Sequence, residues 1–247
     1  MLERIRIVLC ETSHPGNIGA VARAMKTMGL GRLVLVNPKD YPSADATARA
    51  SGADDVLATA EVVSNLDAAL AGVSYAVGTS ARLRRIPMPQ LDPRESARQL
   101  VAEAATQEVA VLFGRERSGL SNAEIDRCHA LVNIPANPDY QSLNLGAAAQ
   151  VICYELRMAM LAATATSGTE EAVAHQPATG EHLESFFGHL EAALLEIGFL
   201  DPKQSQSMLR RLRRLFQRAR PDDTEIHILR GILSRAQAAA RKDPEAG

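Results

Sequence analysis

The chain has 247 residues, of which 46% are hydrophobic and 23% charged, with a net charge of −2. This composition fits an ordinary water-soluble folded protein of one large or two smaller domains. Aromatic residues make up only 4% and Trp is absent, which calls for an aliphatic, alanine-rich core. The cysteines Cys10, Cys128 and Cys153 lie far apart with no C-x-x-C pair, which disfavours a zinc or redox motif and fits reduced thiols in a cytoplasmic protein. No signal-peptide-length apolar stretch follows Met1. No segment is expected to reach the roughly 18 uncharged apolar residues of a membrane helix, since the apolar run after Leu143 carries Glu155 and Arg157.

In chain order, Ile5–Cys10 is a short apolar run of strand formers. Residues 18–28 have helical spacing, with Ile18, Val21, Ala22, Met25 and Met28 on one face and Gly29 as a natural C-cap. Residues 33–36, 73–77, 109–113 and 131–134 read as further strands. Helical patterns occupy 45–50, 65–71, 94–103, 122–128 and 143–163. Strands alternating with helices specify a parallel sheet with helices on both faces. Residues 164–180 lose apolar periodicity and read as a flexible linker. Three helical segments follow, 181–197, 203–219 and 224–240, punctuated by Asp201-Pro202 and Pro221-Asp222-Asp223, which makes 181–247 a small all-helical domain.

Charge separates the two parts. Residues 201–247 hold 11 Lys+Arg against six Asp+Glu, a balance of +5, while residues 1–200 hold 16 against 23, a balance of −7. From Lys203 to Arg220 there is no acid, and Arg210, Arg211, Arg213, Arg214, Arg218 and Arg220 crowd one helix. Such a patch is the footprint of a polyanion, with a solvated helix face as the plainer alternative.

Several common sites are absent. The Gly29-Leu30-Gly31 run lacks a third glycine and leads into a strand, unlike a dinucleotide fingerprint. There is no phosphate-loop motif and no nucleophile elbow. His182 and His189 do not have metal-ligand spacing, and no metal site is expected.

Four loops remain, all at strand C-termini, where open α/β sheets bind ligands. Residues 13–23 join a Pro-Gly turn to a helix start, with Asn17 and Arg23 near the sheet edge; a salt-bridged surface arginine is the alternative reading of Arg23. Residues 78–85 combine Gly78, Thr79, Ser80 and Ala81 with three arginines, including Arg84. Residues 112–122 bring Gly114, where backbone can approach a ligand, then Arg115, Glu116 and Arg117. Ser121 or Asn122 caps the following helix; a plain strand–turn–helix connection is the alternative. Residues 134–146 form an irregular loop stiffened by Pro135 and Pro138 that feeds directly into an apolar helix, as the wall of a pocket would.

Taken together, the stretches 14–29, 113–122 and 134–145 resemble the three signature motifs of the SPOUT superfamily of RNA 2′-O-ribose methyltransferases, and among them the enzymes that modify cytidine and uridine in tRNA. The resemblance covers about residues 1–163, in motif order and spacing, and the basic helical part resembles the tRNA-binding extension of those enzymes. It implies a trefoil knot formed by residues 109–163, and S-adenosylmethionine held by Thr79, Ser80, Ala81, Gly114, Ile134, Gln141, Ser142 and Leu143. It also implies a homodimer built on the 143–163 helix, and transfer of a methyl group to a pyrimidine ribose in the tRNA anticodon loop. Arg23 and Ser142 would stand at the reacting atoms; Asn17, Arg84, Arg115, Arg210, Arg211, Arg213 and Arg214 would contact RNA. An rRNA methyltransferase of the same fold and a non-catalytic RNA-binding protein remain as rivals.

Overall fold

The computed structural model describes residues 1–81, 88–166, 177–201 and 205–242. The chain divides into two compact units, Met1–Val173 and Ala174–Gly247. The first runs β1 (Ile5–Cys10), α1 (Pro15–Met28), β2 (Arg32–Val36), α2 (Ala44–Ala50), α3 (Asp54–Ala58), β3 (Glu61–Val63), α4 (Leu66–Ala69) and β4 (Val73–Thr79). It continues through β5 (Gln90–Leu91), α5 (Pro93–Glu103), β6 (Glu108–Phe113), α6 (Asn122–Ile125), β7 (Ala130–Val132) and α7 (Leu145–Thr166).

The strands form one seven-stranded sheet in the order β3-β2-β1-β6-β4-β7-β5. Every pairing is parallel, so all strand C-termini point to one edge. Side chains alternate across the sheet. Ile5, Ile7 and Leu9 of β1 and Val109, Val111 and Phe113 of β6 join the core beneath α1, α2, α5 and α7. Val8, Cys10, Ala110 and Leu112 join a second core with Leu70, Leu120, Ile125 and Cys128. Both faces are covered, which explains why the strands read as continuous apolar runs. Burial raises the thiol pKa of Cys10 to about 12 and that of Cys153 to about 12, and raises Cys128 too, so all three stay protonated.

The expected sheet had five strands; β3 and β5 are additional. β3 is an edge strand in which Glu61 and Val62 are exposed, and β5 has only two residues, so neither carries a burial pattern. The 131–134 strand lies at Ala130–Val132, leaving Ile134 in the loop beyond. The last helix starts at Leu145, two residues later than expected, because Asn144 takes the capping position: its Oδ1 accepts from Ala147 N at 2.7 Å. β7 follows both β4 and β5 in the chain yet lies between them. Their connection contains residues 82–87, including Arg84, which lie outside the described residues.

The window Leu145–Thr164 of α7 is long and apolar enough by length and composition to cross a membrane, with mean hydropathy 1.2 and 28% of it buried, although Glu155 and Arg157 interrupt it as the sequence indicated. Its buried stripe, Ala149, Ile152, Cys153 and Leu156, belongs to the core, while Tyr154, Met158 and Leu161 are exposed. A groove of about 390 Å³ runs between α5 and α7, lined by Arg94, Arg98, Tyr154 and Met158 among others.

The second unit holds α8 (Gly180–Glu196), α9 (Ser205–Ala219) and α10 (Asp223–Lys242). Its core is Leu183, Phe186, Phe187, Leu190 and Ile226, packed by Leu212, Phe216, Leu229 and Leu233. Phe186 and Phe216 meet edge to face at 4.8 Å between centroids. Asp222 and Glu225 exchange side-chain-to-backbone hydrogen bonds at the start of α10, fulfilling the capping chemistry of the Pro-Asp-Asp turn. Of the expected linker, residues 167–176 lie outside the described residues.

Candidate active site

The four loops singled out in the sequence, the second as far as Ala81, leave the C-terminal edge of β1, β6, β4 and β7, which are neighbours in that order. The tie between the first two is Glu116. Its carboxylate accepts from Ser13 N (3.1 Å), Ser13 Oγ (2.8 Å), His14 N (3.1 Å) and Asn17 Nδ2 (3.0 Å). Partial burial opposes its ionisation, but hydrogen bonds from Asn17, its own backbone N–H and Ser13 win, and its pKa falls to about 2. The loop after β6 is thereby fastened to the start of α1.

Arg115 makes the second fastening. Its Nε donates to Glu11 Oε2 at 2.9 Å, and Nη1 and Nη2 reach Glu124 at 2.9 and 3.2 Å. Its hydrogen bonds to Glu11 and Glu124 raise its pKa further. Glu124 belongs to a capping box with Ser121 at α6. Arg115 was expected to meet a phosphate; its guanidinium is instead engaged by two carboxylates, leaving little positive charge unmatched.

The loop between them is tight. Arg115 and Gly119 exchange backbone hydrogen bonds, and Gly119 has a φ of +67°. A Cβ on Gly114 would lie 2.1 Å from the Gly119 carbonyl carbon, so only glycine fits. Gly114 is buried, and its main chain makes no turn or loop hydrogen bond among the described residues. Buried main-chain groups ordinarily have partners, which marks this position as one that a ligand could complete.

Across β4, Thr79 Oγ1 donates to Leu112 O at 3.0 Å and Ser80 N to Val132 O at 3.0 Å. Asn133 Nδ2 donates to Ser80 O at 2.8 Å, joining the loop after β4 to the loop after β7. Ala81 is exposed and Ile134 half-buried. Beyond Ile134 the chain turns at Asn137-Pro138-Asp139-Tyr140, with Tyr140 N donating to Asn137 O at 2.9 Å. Gln141, Ser142 and Leu143 then run exposed, without main-chain hydrogen-bond partners among the described residues. Gly146 at the head of α7 lies so close to α1 that a Cβ would come within 2.8 Å of Ala20 Cβ.

Asn17, Ala20 and Arg23 follow one another at three-residue spacing on α1. Arg23 is exposed and has no ion pair or hydrogen bond among the described residues. His14 caps the helix, its Nδ1 accepting from Gly16 N at 3.1 Å. The stretch 137–146 thus runs from the β4–β7 side of the rim back to the helix that bears Arg23.

In the second unit Arg211 and Arg218 are exposed and unpaired among the described residues, while Arg210 and Arg214 are half-buried. Arg213 departs from the expected RNA-facing position: it pairs with Glu184 and its guanidinium stacks on Phe187 at 4.3 Å, within the bundle. Sequence reasoning overlooked Glu116 and Glu124 as organisers of the rim. The glycine-flanked charge cluster was visible, but the partners of Glu116 lie about a hundred positions away, as does Glu11 from Arg115.

A parallel α/β sheet whose strand ends gather such loops, followed by a basic three-helix unit, defines an α/β protein with a ligand site at its strand C-termini and a cationic helical extension. A family model for the SpoU rRNA Methylase family matches residues 4–154, and one for the tRNA methyltransferase TrmJ C-terminal domain matches residues 181–245. The chain is 52% identical over 248 residues to the tRNA (cytidine/uridine-2′-O-)-methyltransferase TrmJ of Cronobacter sakazakii, covering 99% of this chain and 100% of that one. It is 55% identical to the TrmJ of Escherichia coli K12, covering 95% of both. The crystal structure of TrmJ from Z. mobilis ZM4 superposes with a TM-score of 0.81 at 32% identity, covering 93% of this chain and 97% of that one. The chain belongs to the SpoU methylase family, in its TrmJ branch.

Proposed function

We propose that this protein transfers a methyl group from S-adenosylmethionine to the 2′-oxygen of a pyrimidine ribose in the anticodon loop of tRNA. The observation that carries the reading is the single rim built from the ends of β1, β6, β4 and β7 and closed by Glu116, in a chain of a methylase family.

The donor set fits the cofactor. Gly114 and Ile134 would offer backbone groups and an apolar wall to its adenine; Thr79, Ser80, Ala81, Gln141, Ser142 and Leu143 would line the remainder. S-adenosylmethionine supplies a methyl already activated on a sulfonium. The residues of the chain must then orient a weak nucleophile in line with it and let the proton leave. Arg23 is exposed and unpaired, so its planar fork can hold a backbone phosphate and the 2′-hydroxyl together. A guanidinium stays protonated, so a phosphate oxygen or water takes the proton while Arg23 and Ser142 fix the geometry. Asn17, held by Glu116, shapes the sugar side of the site, and Arg84 and Arg115 are further candidates for contact with RNA. Arg115 acts chiefly by holding Glu11 and Glu124 in place.

The same reading extends to the whole chain. Residues 1–163 form the catalytic domain, 164–180 a linker and 181–247 the tRNA-binding domain, with Arg210, Arg211, Arg213 and Arg214 on its basic helix. The place of β7 between β4 and β5 supports threading of residues 109–163 as a trefoil knot. The exposed stripe Tyr154, Met158 and Leu161 of α7 supports a homodimer through that helix. The work of such an enzyme is cytoplasmic.

Titration calorimetry with S-adenosylmethionine, then transfer of tritiated methyl to bulk tRNA and to rRNA, tests the reading. We expect cofactor binding and label on tRNA ribose. Absence of cofactor binding would leave a passive RNA binder, and label on rRNA alone would leave an rRNA methyltransferase of the same fold.

A further inference from the structure

Tyr140 is the most exposed of the large apolar side chains among the described residues, at 80%. The other aromatic residues of the first unit are accounted for. Phe113 is buried, Tyr41 OH donates to Leu57 O, Tyr75 OH donates to Gln99 Oε1 with its ring against His129, and Tyr154 lines the α5–α7 groove. A single exposed ring is ordinary in itself. What distinguishes Tyr140 is how and where it is held.

It occupies the last position of a four-residue turn, Asn137-Pro138-Asp139-Tyr140. Asn137 supplies two contacts, its carbonyl accepting from Tyr140 N at 2.9 Å and its Oδ1 from Asp139 N at 3.0 Å. Pro138 presets the backbone angle at the second position. The ring therefore stands on a stiff pedestal, and ordering it at an RNA surface costs little further entropy. The hydroxyl of Tyr140 has no partner among the described residues. Two residues later comes Ser142. Four residues later comes Asn144, the cap of α7, beside the point where Gly146 touches Ala20 one turn from Arg23. Four extended residues span at most about 14 Å, so the ring lies within one or two nucleotides' reach of that contact.

We infer that Tyr140 is a stacking platform for an unpaired RNA base next to the ribose that is methylated, and so a substrate-positioning residue. The inference rests on the proposed methyl transfer to RNA and adds to it a contact made by the ring face. A single-stranded nucleotide has a free π-face to offer, and every base can stack on an aromatic side chain whatever its sequence. Backbone phosphates are held by arginine; without a platform for the base, the sugar remains free to rotate about its backbone. Stacking removes that freedom and presents the 2′-hydroxyl to the methyl donor.

The test uses the full chain and four proteins: wild type, Tyr140→Ala, Tyr140→Leu and Tyr140→Phe. Calorimetry reads affinity for S-adenosylmethionine, and tritium transfer to bulk tRNA reads kcat and KM. We expect Tyr140→Ala and Tyr140→Leu to lose about 5- to 100-fold in kcat/KM for tRNA, mostly through KM, as loss of one stacked base implies. Tyr140→Phe stays within about twofold of wild type, and cofactor affinity is unchanged in all four. Three results would overturn the inference: full activity in Tyr140→Ala, a phenylalanine no better than leucine, or loss of cofactor binding in the alanine variant. A wild type that labels no tRNA defeats the proposed function before the variants are compared, so the two failures are distinct.

Discussion

Asn17 on α1 and Glu116 beyond β6 lie 99 positions apart and meet through a 3.0 Å hydrogen bond, within a carboxylate that also holds the backbone of Ser13 and His14. This contact makes one wall out of two loops. It places Asn17 against the loop that begins at Gly114, where the adenine of the cofactor is proposed to bind.

Replacing Glu116 by Gln presents an amide N–H to donors that need an acceptor. Hydrogen bonds to a charged group are worth more than neutral ones, but this carboxylate is partly exposed, so the cost is about 1 kcal/mol of stability. The pH dependence has a definite sign. The folded carboxyl titrates at about 2, below the ordinary 4.5, so its stabilisation is complete above about pH 4.5 and is lost as pH falls toward 2. Thermal unfolding from pH 7 to pH 2 should show the gap between wild type and Glu116→Gln narrowing across that window. A gap that stays constant would remove Glu116 as the charged clasp.

Gly19 of α1 packs against the backbone of α2. A Cβ there would lie 2.0 Å from the Ala46 carbonyl oxygen and 2.9 Å from Ala50 N. Glycine to alanine inside a helix ordinarily gains about 1 kcal/mol. Here the backbone cannot step aside cheaply, and Gly19→Ala should destabilise by about 1–3 kcal/mol in denaturant unfolding. Gly31→Ala, with nothing within 4 Å of the new methyl, is the near-neutral control.

Arg23→Lys keeps the charge and loses the planar fork. Because Arg23 is exposed and unpaired among the described residues, the unfolding midpoint should not move, while methyl transfer to tRNA drops at least about tenfold, roughly the loss of one charge-assisted hydrogen bond. Wild-type turnover in this variant would exclude fork geometry as its contribution.

The arginines of α9 should separate into two kinds. Arg211→Ala and Arg218→Ala together should flatten the slope of log affinity for tRNA against log salt by about 1.5–2, with unchanged unfolding. Arg213→Ala should instead destabilise the helical unit by roughly 1–2 kcal/mol, since it removes both the Glu184 pair and the Phe187 stack. Circular dichroism melts and filter binding at several salt concentrations distinguish the two patterns.

The elements that could be read in advance were those whose environment is written locally. Ile5–Cys10 declares a strand buried on both faces, and Gly29, with its φ of 80°, ends α1 as a glycine cap does. β3 and β5 were illegible because an exposed three-residue edge and a two-residue strand exist only through their partners β2 and β7. At the site, glycines and prolines exposed the four loops. That Arg115 faces two carboxylates and Arg213 a glutamate and a ring could not be read, since Glu11 and Glu184 are remote in the chain and the pairing with Glu124 depends on how the turn after β6 folds back.

By itself the chain of residues determined where backbone must bend, which segments need two buried faces, and that a basic helical part follows an acidic α/β part. These follow from sterics and apolar periodicity, which act over a few residues. Only the tertiary structure decided the strand order, with β6 inserted between β1 and β4 and β7 between β4 and β5. It also decided which charges are spent on one another and which, like Arg23, stay exposed without an ion pair among the described residues. Those outcomes depend on contacts between residues up to about a hundred positions apart, where packing and ion pairing select among partners that local preference leaves equivalent.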